Sequence, residues 1–362
     1  MKSCRAPIYI NGRFLNQPVT GVQRVAIELM AAFERIRGSE LTYLAPPSAF
    51  CGNARPTRIV GRCSGHAWEQ LELPRYARDG VLVNLCNTAP MRLKNQVVVI
   101  HDTGAFSVPE GYSWRFRVWY RLMQRALVRS GVRIATVSQF SRSEIIRQLG
   151  AKPDQVTVIG AGADHIRRIE ADPRILGAHG LVPRRFVVAV GSLAPHKNLA
   201  ALVELARLLA ARDMTLAITG GFSLSVFRES SLPQPAQYMG RVSDPELKAL
   251  YESAACFILP SRYEGFGLPA VEAMSCGCPV AASEIPALRE ICRDTAVYFN
   301  PEHPDEIARQ VSHVLDDPNI SPRLREMGVS QAAKHTWSHS ASLLDKLIAD
   351  CGTVGRTGAC LS

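Results

Sequence analysis

Residues 256–280 read CFILPSRYEGFGLPAVEAMSCGCPV, and this stretch decides the fold. It opens with four apolar residues closed by a proline, the pattern of a parallel strand that is buried on both faces. A glycine loop and a short helix follow, with Pro269 expected at the first helical position and Gly277 just beyond the helix end. The stretch therefore predicts strand, loop, helix and strand, a repeating unit of an α/β fold.

The loop before this helix is suited to bind an anion. Gly265 and Gly267 carry no side chain, so the backbone can approach a ligand closely. The start of the helix adds about half a positive charge at the same place. This arrangement favours a phosphate group, held by the main chain of Gly265, Phe266, Gly267 and Leu268.

Two carboxylates flank the loop. Glu264 precedes the glycines, and Glu272 lies in the first turns of the helix, where its side chain leans back toward the helix start. A carboxylate binds phosphate poorly but accepts hydrogen bonds from vicinal hydroxyls, so the set favours a sugar nucleotide. Two glutamates eight positions apart in a purely structural loop are the alternative that the residues alone leave open.

The composite Pro-Ser-x-x-Glu-Gly-Phe-Gly-Leu-Pro-x-x-Glu-Ala-Met-x-x-Gly-x-Pro-Val resembles the signature of the retaining nucleotide-sugar glycosyltransferases of family 4. The resemblance implies the GT-B fold, in which two Rossmann-like, doubly wound parallel-sheet domains face a central cleft. It is strong from about residue 186 to 301 and present only in outline before residue 95. In this family Glu264 would bind the hydroxyls of the donor sugar and Glu272 those of the ribose.

Length and composition agree with two folded domains. The chain has 362 residues, which is too long for one typical hydrophobic core. Its composition, 47% hydrophobic and 20% charged, is that of a folded globular protein. No apolar run approaches the roughly 18 residues that a membrane span needs, and the N-terminus has no signal-peptide pattern. Ten cysteines occur without Cys-x-x-Cys spacing. We therefore expect a cytoplasmic protein with reduced cysteines and no structural metal.

Four segments are expected along the chain. Residues 1–175 form a basic, acceptor-side Rossmann-like domain, and residues 176–336 form the nucleotide-sugar-binding domain. Residues 337–350 are the final helix, which crosses back to the first domain in the GT-B fold, and residues 351–362 are a tail. Residues 165–183, rich in charge, glycine and proline, are predicted as the linker.

The basic charge is concentrated in the first half. Residues 1–180 hold 25 basic and 13 acidic residues, a net charge of +12, whereas residues 181–362 have a net charge of −2. A donor nucleotide does not require so much positive charge, so a second, extended anionic partner is indicated.

A predicted helix over residues 113–133 carries arginines at intervals of four. This pattern resembles a basic, aromatic-edged helix that lies on an anionic membrane. An ordinary solvated face is the alternative, and nucleic acid is not expected because no recognition motif accompanies the charge. The membrane or acceptor face is assigned to Arg115, Arg117, Arg121 and Arg125, and the spacing continues through Arg129 and Arg133.

Two more sites are predicted in the first half. Thr20 is placed to cap a helix that begins at Gly21, where open backbone suits a phosphate. His101 follows a buried strand, and in the family the histidine of this strand-end His-Asp motif contacts the donor sugar. A capped helix and a structural histidine are the respective alternatives.

The second half supplies the remaining donor contacts. Lys197 follows a strand at the mouth of a helix, where its ammonium can pair with a diphosphate. In the family an arginine commonly occupies the position of Ser192, so Lys197 carries more of this load here, with His196 a possible substitute. By resemblance, donor contacts are also expected from Asn198, Gly240, Arg241 and Val242.

The sequence thus predicts a retaining, metal-independent hexosyltransferase without cofactor. Glu264, His101 and Lys197 are its catalytic residues, and the donor is expected to be GDP-mannose. The acceptor is a saccharide, free or linked to polyprenyl diphosphate, at the inner face of the cell membrane. Alternatives are a rhamnosyl- or glucosyltransferase that uses a dTDP- or UDP-sugar, a phosphorylase or epimerase on this fold, and a non-catalytic nucleotide- or carbohydrate-binding protein.

Overall fold

The computed structural model describes residues 6–48, 56–221 and 232–354, with side chains up to Cys351. The described chain forms two compact units. Unit 1 comprises the described parts of Met1–Thr103, Val118–Gly162 and Trp337–Ser362, and unit 2 comprises those of Gly104–Arg117 and Ala163–Thr336.

Strands and helices alternate along the first part of the chain. In order they are β1 (Ile8–Asn11), α1 (Gly21–Arg37), β2 (Leu41–Ala45), β3 (Thr57–Ile59), α2 (Gly65–Ala67), α3 (Leu73–Tyr76), β4 (Val81–Asn84), β5 (Gln96–Val99), α4 (Gly104–Ser107), α5 (Trp114–Arg129), β6 (Arg133–Thr136), α6 (Gln139–Leu149) and β7 (Val156–Val158).

The same alternation continues in the second part. In order the elements are α7 (Arg174–Ala178), β8 (Phe186–Val190), α8 (Val203–Ala210), β9 (Thr215–Thr219), β10 (Gln237–Tyr238), α9 (Asp244–Ser253), β11 (Cys256–Leu259), α10 (Leu268–Ser275), β12 (Val280–Ser283), α11 (Pro286–Cys292), β13 (Ala296–Phe299), α12 (Pro304–Asp316), α13 (Ile320–Ala332) and α14 (Trp337–Val354). Short 3₁₀ turns occupy Gly12–Asn16, Gly38–Glu40, Pro109–Gly111, Pro153–Gln155, Ile166–Arg168, Pro195–Lys197, Leu199–Leu202 and Arg293–Thr295, and Trp68–Glu72 is a π-helical turn.

Each unit is built on one parallel sheet. The sheet of unit 1 has the order β3-β2-β1-β4-β5-β6-β7, and that of unit 2 has the order β10-β9-β8-β11-β12-β13. β4, β5 and β11 are buried along their whole length, as expected for strands covered by helices on both faces. The predicted doubly wound architecture is confirmed for both halves of the chain.

Apolar side chains fill the space between each sheet and its helices. In unit 2, Leu205 and Val311 from the helices pack with Ile258 and Phe299 from the strands in one buried cluster. In unit 1, α14 packs along α1, and the Nε of Arg37 donates a hydrogen bond of 2.6 Å to Asp345. The chain's last helix is therefore part of the fold of unit 1.

Three local expectations need correction. Pro269 is the second residue of α10, because Gly267 caps the helix and Leu268 begins it. Gly131, with a φ of +76°, ends α5 before Arg133, which lies in β6 and so leaves the arginine series. Residues 165–183, expected as a linker, contain α7 and the turn Ile166–Arg168 and belong to unit 2.

The C-terminal helix is longer than the sequence indicated. It extends to Val354 and includes Cys351, the first residue of the expected tail. Residues 355–362 of that tail, and the first five residues of the chain, lie outside the described residues.

Candidate active site

The site of unit 2 is located where the order of its strands reverses. β8 and β11 are neighbours in the sheet, and the chain continues to β9 on one side and to β12 on the other. Ligands of open α/β sheets bind beyond the carboxyl ends of the strands at such a point. The segments that leave β8 and β11 carry Lys197 and Glu264, respectively.

Lys197 and Glu264 are in direct contact. Lys197 closes the turn Pro195–Lys197, and its Nζ donates a hydrogen bond of 2.7 Å to Oε1 of Glu264. Ser261 Oγ donates to the same oxygen, also at 2.7 Å. Glu264 is only 8% exposed, and no described residue donates to its Oε2. One carboxylate oxygen is thus anchored, while the other remains available to a ligand.

The loop from Gly265 to Leu268 has the geometry of an anion site. Gly267 adopts a φ of +88°, and a Cβ at this position would displace the side chain of Leu288, so the position strongly favours glycine. The N–H groups of Phe266, Gly267 and Leu268 make no hydrogen bond within the described chain. Because these orphan donors stand at the start of α10, they provide positive potential for a phosphate.

Glu272 is buried and held by two residues. Its Oε1 lies 3.1 Å from Nε2 of His165, and its Oε2 accepts a hydrogen bond of 3.3 Å from the hydroxyl of Tyr251. Burial, followed by the charge of Glu272, raises the pKa of Tyr251 well above its usual value, so this hydroxyl keeps its proton and donates. Sequence reasoning missed both partners of this carboxylate.

The remaining predicted donor contacts follow β8 and β10. Ser192 is half-buried in the segment after β8. Asn198 donates hydrogen bonds to the carbonyls of Pro260 (3.1 Å) and Pro301 (2.8 Å), so its amide group ties the turn to the strand ends. Only its side-chain oxygen is left for a ligand.

The turn after β10 contains Gly240, Arg241 and Val242. The carbonyl of Gly240 accepts hydrogen bonds from the backbone N–H of Gly220 (2.9 Å) and from Thr219 Oγ1 (2.7 Å). These bonds fix the turn against the carboxyl end of β9. The exposed side chain of Arg241 lies along Gly221.

His196 does not replace the missing arginine at position 192. Burial, reinforced by the nearby charge of Lys197, lowers the pKa of His196 to about 4, so the imidazole is neutral near pH 7. Its ring stacks on Tyr112, with the ring centres 5.9 Å apart. The cationic contribution in this segment therefore comes from Lys197.

His101 lies beyond the end of β5 in unit 1. Its Nε2 donates a hydrogen bond of 2.7 Å to the carbonyl of Leu85, which leaves Nδ1 as the acceptor nitrogen of a neutral ring. Burial lowers the pKa of His101 despite opposing contributions from this hydrogen bond and from Asp102. The main chain is held as well, because the N–H of His101 donates to Asn87 and its carbonyl accepts from Ser141.

The start of α1 is open, as predicted for Gly21. A Cβ at Gly21 would have no neighbour within 4 Å, so the backbone there is accessible. Thr20 occupies the cap position, but its hydroxyl bonds the side chain of Gln23 and not a backbone N–H. The predicted threonine cap is therefore wrong.

Comparison with known proteins identifies the family. Residues 19–167 match the family described as Glycosyltransferase Family 4, and residues 176–334 match Glycosyl transferases group 1. The O-antigen chain mannosyltransferase B of Escherichia coli is 33% identical over 268 residues, 69% of each chain. The chain belongs to the family 4 glycosyltransferases. The O-antigen chain mannosyltransferase RfbU of Salmonella typhimurium is 26% identical over 259 residues, again 69% of each chain.

Solved structures of glycosyltransferases share the fold. Sucrose-phosphate synthase from Thermosynechococcus elongatus aligns with a TM-score of 0.72 at 17% identity and covers 97% of this chain and 100% of its own. HepE from Anabaena, solved in complex with UDP and glucose, aligns with a TM-score of 0.71 at 16% identity and covers 96% of this chain and 100% of its own. The predicted GT-B fold class is confirmed for this glycosyltransferase.

Helix α5 of the glycosyltransferase presents apolar and basic side chains together. Trp114 (62% exposed), Val118 (50%) and Leu122 (62%) follow each other at intervals of four residues and so form one stripe on the helix. Arg115 and Arg125 are exposed on the same helix. Within the described chain, no helix is both long and apolar enough to cross a membrane.

The other two predicted arginines of α5 are less accessible. Arg117 and Arg121 are half-buried, and Nη1 of Arg117 donates to the carbonyl of Pro109 at 3.4 Å. The exposed face of α5 is thus defined by the apolar stripe Trp114, Val118 and Leu122, with arginine at positions 115 and 125.

Proposed function

We propose that this glycosyltransferase transfers a mannosyl group from GDP-mannose to a saccharide acceptor in the synthesis of a bacterial polysaccharide. The observation that carries the assignment is the Glu264 carboxylate, with Oε1 anchored by Lys197 and Ser261 and Oε2 open, followed in the chain by the unpaired amides of residues 266–268. Mannose is supported by the relatives named as O-antigen mannosyltransferases.

The residues of unit 2 divide the work of binding the donor. Lys197, with two N–H groups beyond the one given to Glu264, and the amides of Phe266, Gly267 and Leu268 hold the diphosphate. As the anomeric bond breaks, negative charge grows on that diphosphate, and donors already aimed at it lower the barrier by several kcal/mol in typical enzymes. This electrostatic set supports transfer without a metal ion.

The carboxylates and His101 bind hydroxyls. Glu264 accepts from the donor sugar through Oε2, and Glu272, positioned by His165 and Tyr251, accepts from the ribose. His101 accepts a sugar hydroxyl through Nδ1, because its other ring nitrogen is committed to Leu85. We assign no covalent nucleophile, and we propose that the anomeric configuration of the sugar is retained.

A donor panel tests this function. The protein is incubated with GDP-mannose, dTDP-rhamnose or UDP-glucose and with methyl glycosides as acceptors, and products are read by mass spectrometry. The proposal requires GDP release and mannoside formation with the α configuration by NMR, unchanged by a metal chelator. Transfer from another donor reassigns the sugar, and nucleotide binding without transfer from any donor indicates a non-catalytic binding protein.

Association with a membrane completes the proposed function. The exposed apolar stripe of α5 can enter the interface of a bilayer while the arginines beside it contact anionic head groups. A protein held in this way meets acceptors linked to polyprenyl diphosphate at the inner face of the cell membrane. Vesicle binding tests this part separately from transfer.

A further inference from the structure

A buried polar network lies at the carboxyl ends of β1 and β4 in unit 1. The strand order of this sheet reverses between these two strands, as it does between β8 and β11 in unit 2. Asn11 ends β1 and Asn84 ends β4, and Nδ2 of Asn11 donates a hydrogen bond of 2.9 Å to Oδ1 of Asn84. By the rule for open α/β sheets, this edge is the place for a ligand of unit 1.

Glu69 is the centre of the network and is fully buried. Its Oε1 accepts hydrogen bonds from Asn11 (2.9 Å) and Thr88 (2.8 Å), and its Oε2 lies 3.2 Å from Nδ1 of His66. Burial acts to raise the pKa of Glu69, but the bond from His66, the charge of Arg13 and the other hydrogen bonds outweigh it and lower the pKa. The carboxylate is therefore ionised, and its Oε1 is surrounded by protein donors.

Arg13 is a partly exposed member of the network, as is His66. Nε of Arg13 pairs with Glu69 Oε1 at 3.3 Å, and its Nη2 donates to Thr88 Oγ1 at 2.8 Å, so the guanidinium plane is fixed on two sides. The side chain keeps 13% exposure, and within the described chain Nη1 donates no hydrogen bond. A fixed guanidinium with open N–H groups is preorganised to recognise an oxygen.

Arg13 borders a small cavity of about 10 Å³, which is also lined by Asn11, Phe14, Gln17, Glu69, Cys86 and Thr88. This is room for about one water-sized group. Leu85 also borders the cavity, and its carbonyl accepts the hydrogen bond from His101. The cavity is therefore a neighbour of the histidine that we assign to sugar binding.

We propose that this cavity binds one hydroxyl of the acceptor saccharide, with Arg13 as the recognising donor and Glu69 as the residue that positions Arg13. The inference rests on the proposed transferase function and names its acceptor contact. Arg13 and Glu69 cancel in charge, so the site suits a neutral hydroxyl, and its size admits a single oxygen. A phosphate carries several oxygens and a net charge that this pair does not match.

Saturation-transfer NMR on the full chain tests the site without requiring turnover. The probes are methyl α-D-mannopyranoside and its monodeoxy analogues. We expect the wild-type protein to bind one deoxy analogue about tenfold more weakly than the parent, because one charged hydrogen bond is lost. Arg13→Lys keeps a positive charge beside Glu69 but lacks the Nη1 amino group that would donate to the acceptor hydroxyl. This variant should therefore bind the parent glycoside and all its deoxy analogues equally weakly.

Three controls separate recognition from folding. Arg147→Gln removes an exposed arginine of α6 that pairs with Glu144, and it should behave as wild type. Arg13→Lys should retain the wild-type melting temperature and affinity for GDP, whereas a merely structural arginine would lower both. Arg13→Gln, which leaves Glu69 without its cation, should lose acceptor discrimination and melt earlier.

Several results overturn the proposal. They are unchanged discrimination in Arg13→Lys, displacement of the glycosides by inorganic phosphate, and the absence of saturation transfer with every probe in the wild type. Glycoside binding that depends on Arg13, with no transfer from any donor, instead overturns the proposed transferase function and leaves the saccharide site standing.

Discussion

Lys197 Nζ and Glu264 Oε1 are 2.7 Å apart, and this ion pair joins the segments that follow two neighbouring strands, β8 and β11. The ion pair positions the lysine and also compensates the charge of the glutamate. Glu264 holds the ammonium in place, and Lys197 compensates the charge of a carboxylate that is only 8% exposed. In the function we propose, the cation is therefore in position before the diphosphate arrives, so little reorganisation is needed at the moment of reaction.

Replacing Lys197 with Ala should reduce kcat by about tenfold or more, because one of the donors to the leaving diphosphate is lost. Lys197→Arg should recover part of that loss, since a guanidinium can still bond Glu264 and a phosphate oxygen. Steady-state rates of nucleotide release measure both. Arg207→Ala removes an exposed cation paired with Glu204 in the same unit and serves as the control. A wild-type rate in Lys197→Ala would reject the assignment.

Tyr251→Phe should weaken binding of the donor nucleotide by about threefold to tenfold. The change removes the hydroxyl that bonds Oε2 of Glu272 and leaves the ring packed, so the carboxylate loses one of its two supports. His165→Ala removes the other support and should have a larger effect. Isothermal titration with the nucleoside diphosphate gives the dissociation constants.

Tyr298→Phe is the matched control for Tyr251→Phe. The Tyr298 hydroxyl bonds the carbonyl of Arg293 at 2.6 Å, apart from Glu272, so its loss should leave nucleotide affinity unchanged. Equal affinities in all three variants and the wild type would mean that Glu272 does not contact the nucleotide.

The elements with uninterrupted apolar runs could be read directly from the sequence. β11 has the predicted bounds, because a parallel strand covered on both faces reads as one uninterrupted apolar run. Reasoning from the spacing of residues failed for Arg133, because the interval of four between arginines continued by coincidence past the glycine that ends α5. The spacing of side chains does not show where a helix ends, whereas the glycine at position 131 indicates the end of α5.

Pairings between distant parts of the chain were beyond the reach of sequence reasoning. His165 lies in a segment whose glycines and prolines indicate a linker, yet it is buried against Glu272. Arg13 and Glu69 likewise have no shared motif, because they lie far apart in the chain and meet only when unit 1 is folded. Ser261 was the exception, since it precedes Glu264 by three residues within the quoted stretch and so could have been suspected.

Acid should destabilise the protein partly through His196. Its pKa is about 4 in the fold and about 6.5 when unfolded, so between these values the unfolded chain binds a proton that the folded chain does not. Stability contributed by the neutral ring is complete above about pH 6.5 and falls as pH drops toward 4. The loss at pH 4.5 should be about 2–3 kcal/mol.

Urea unfolding of wild type and His196→Gln between pH 7.5 and 4.5 measures this contribution. The variant lacks the titrating ring. Between pH 7.5 and 4.5 its free energy of unfolding should therefore fall by about 2–3 kcal/mol less than that of the wild type. His303→Gln removes an exposed histidine and should keep the wild-type slope. Identical pH dependence in wild type and His196→Gln would show that the ring does not resist protonation in the fold.

Leu122→Gln should weaken binding to vesicles that contain anionic lipid by about tenfold or more. Leu122 is 62% exposed on the apolar stripe of α5, and burying such a side chain in the bilayer interface is worth about 1.5–3 kcal/mol. Leu71→Gln replaces a leucine of the same 62% exposure outside α5 and should bind as wild type.

Replacing Arg115 and Arg125 with Gln should weaken binding mainly at low salt, at about 1 kcal/mol for each charge. Co-sedimentation at two salt concentrations separates the apolar from the electrostatic contribution, and equal binding by Leu122→Gln and Leu71→Gln would remove α5 from the membrane contact.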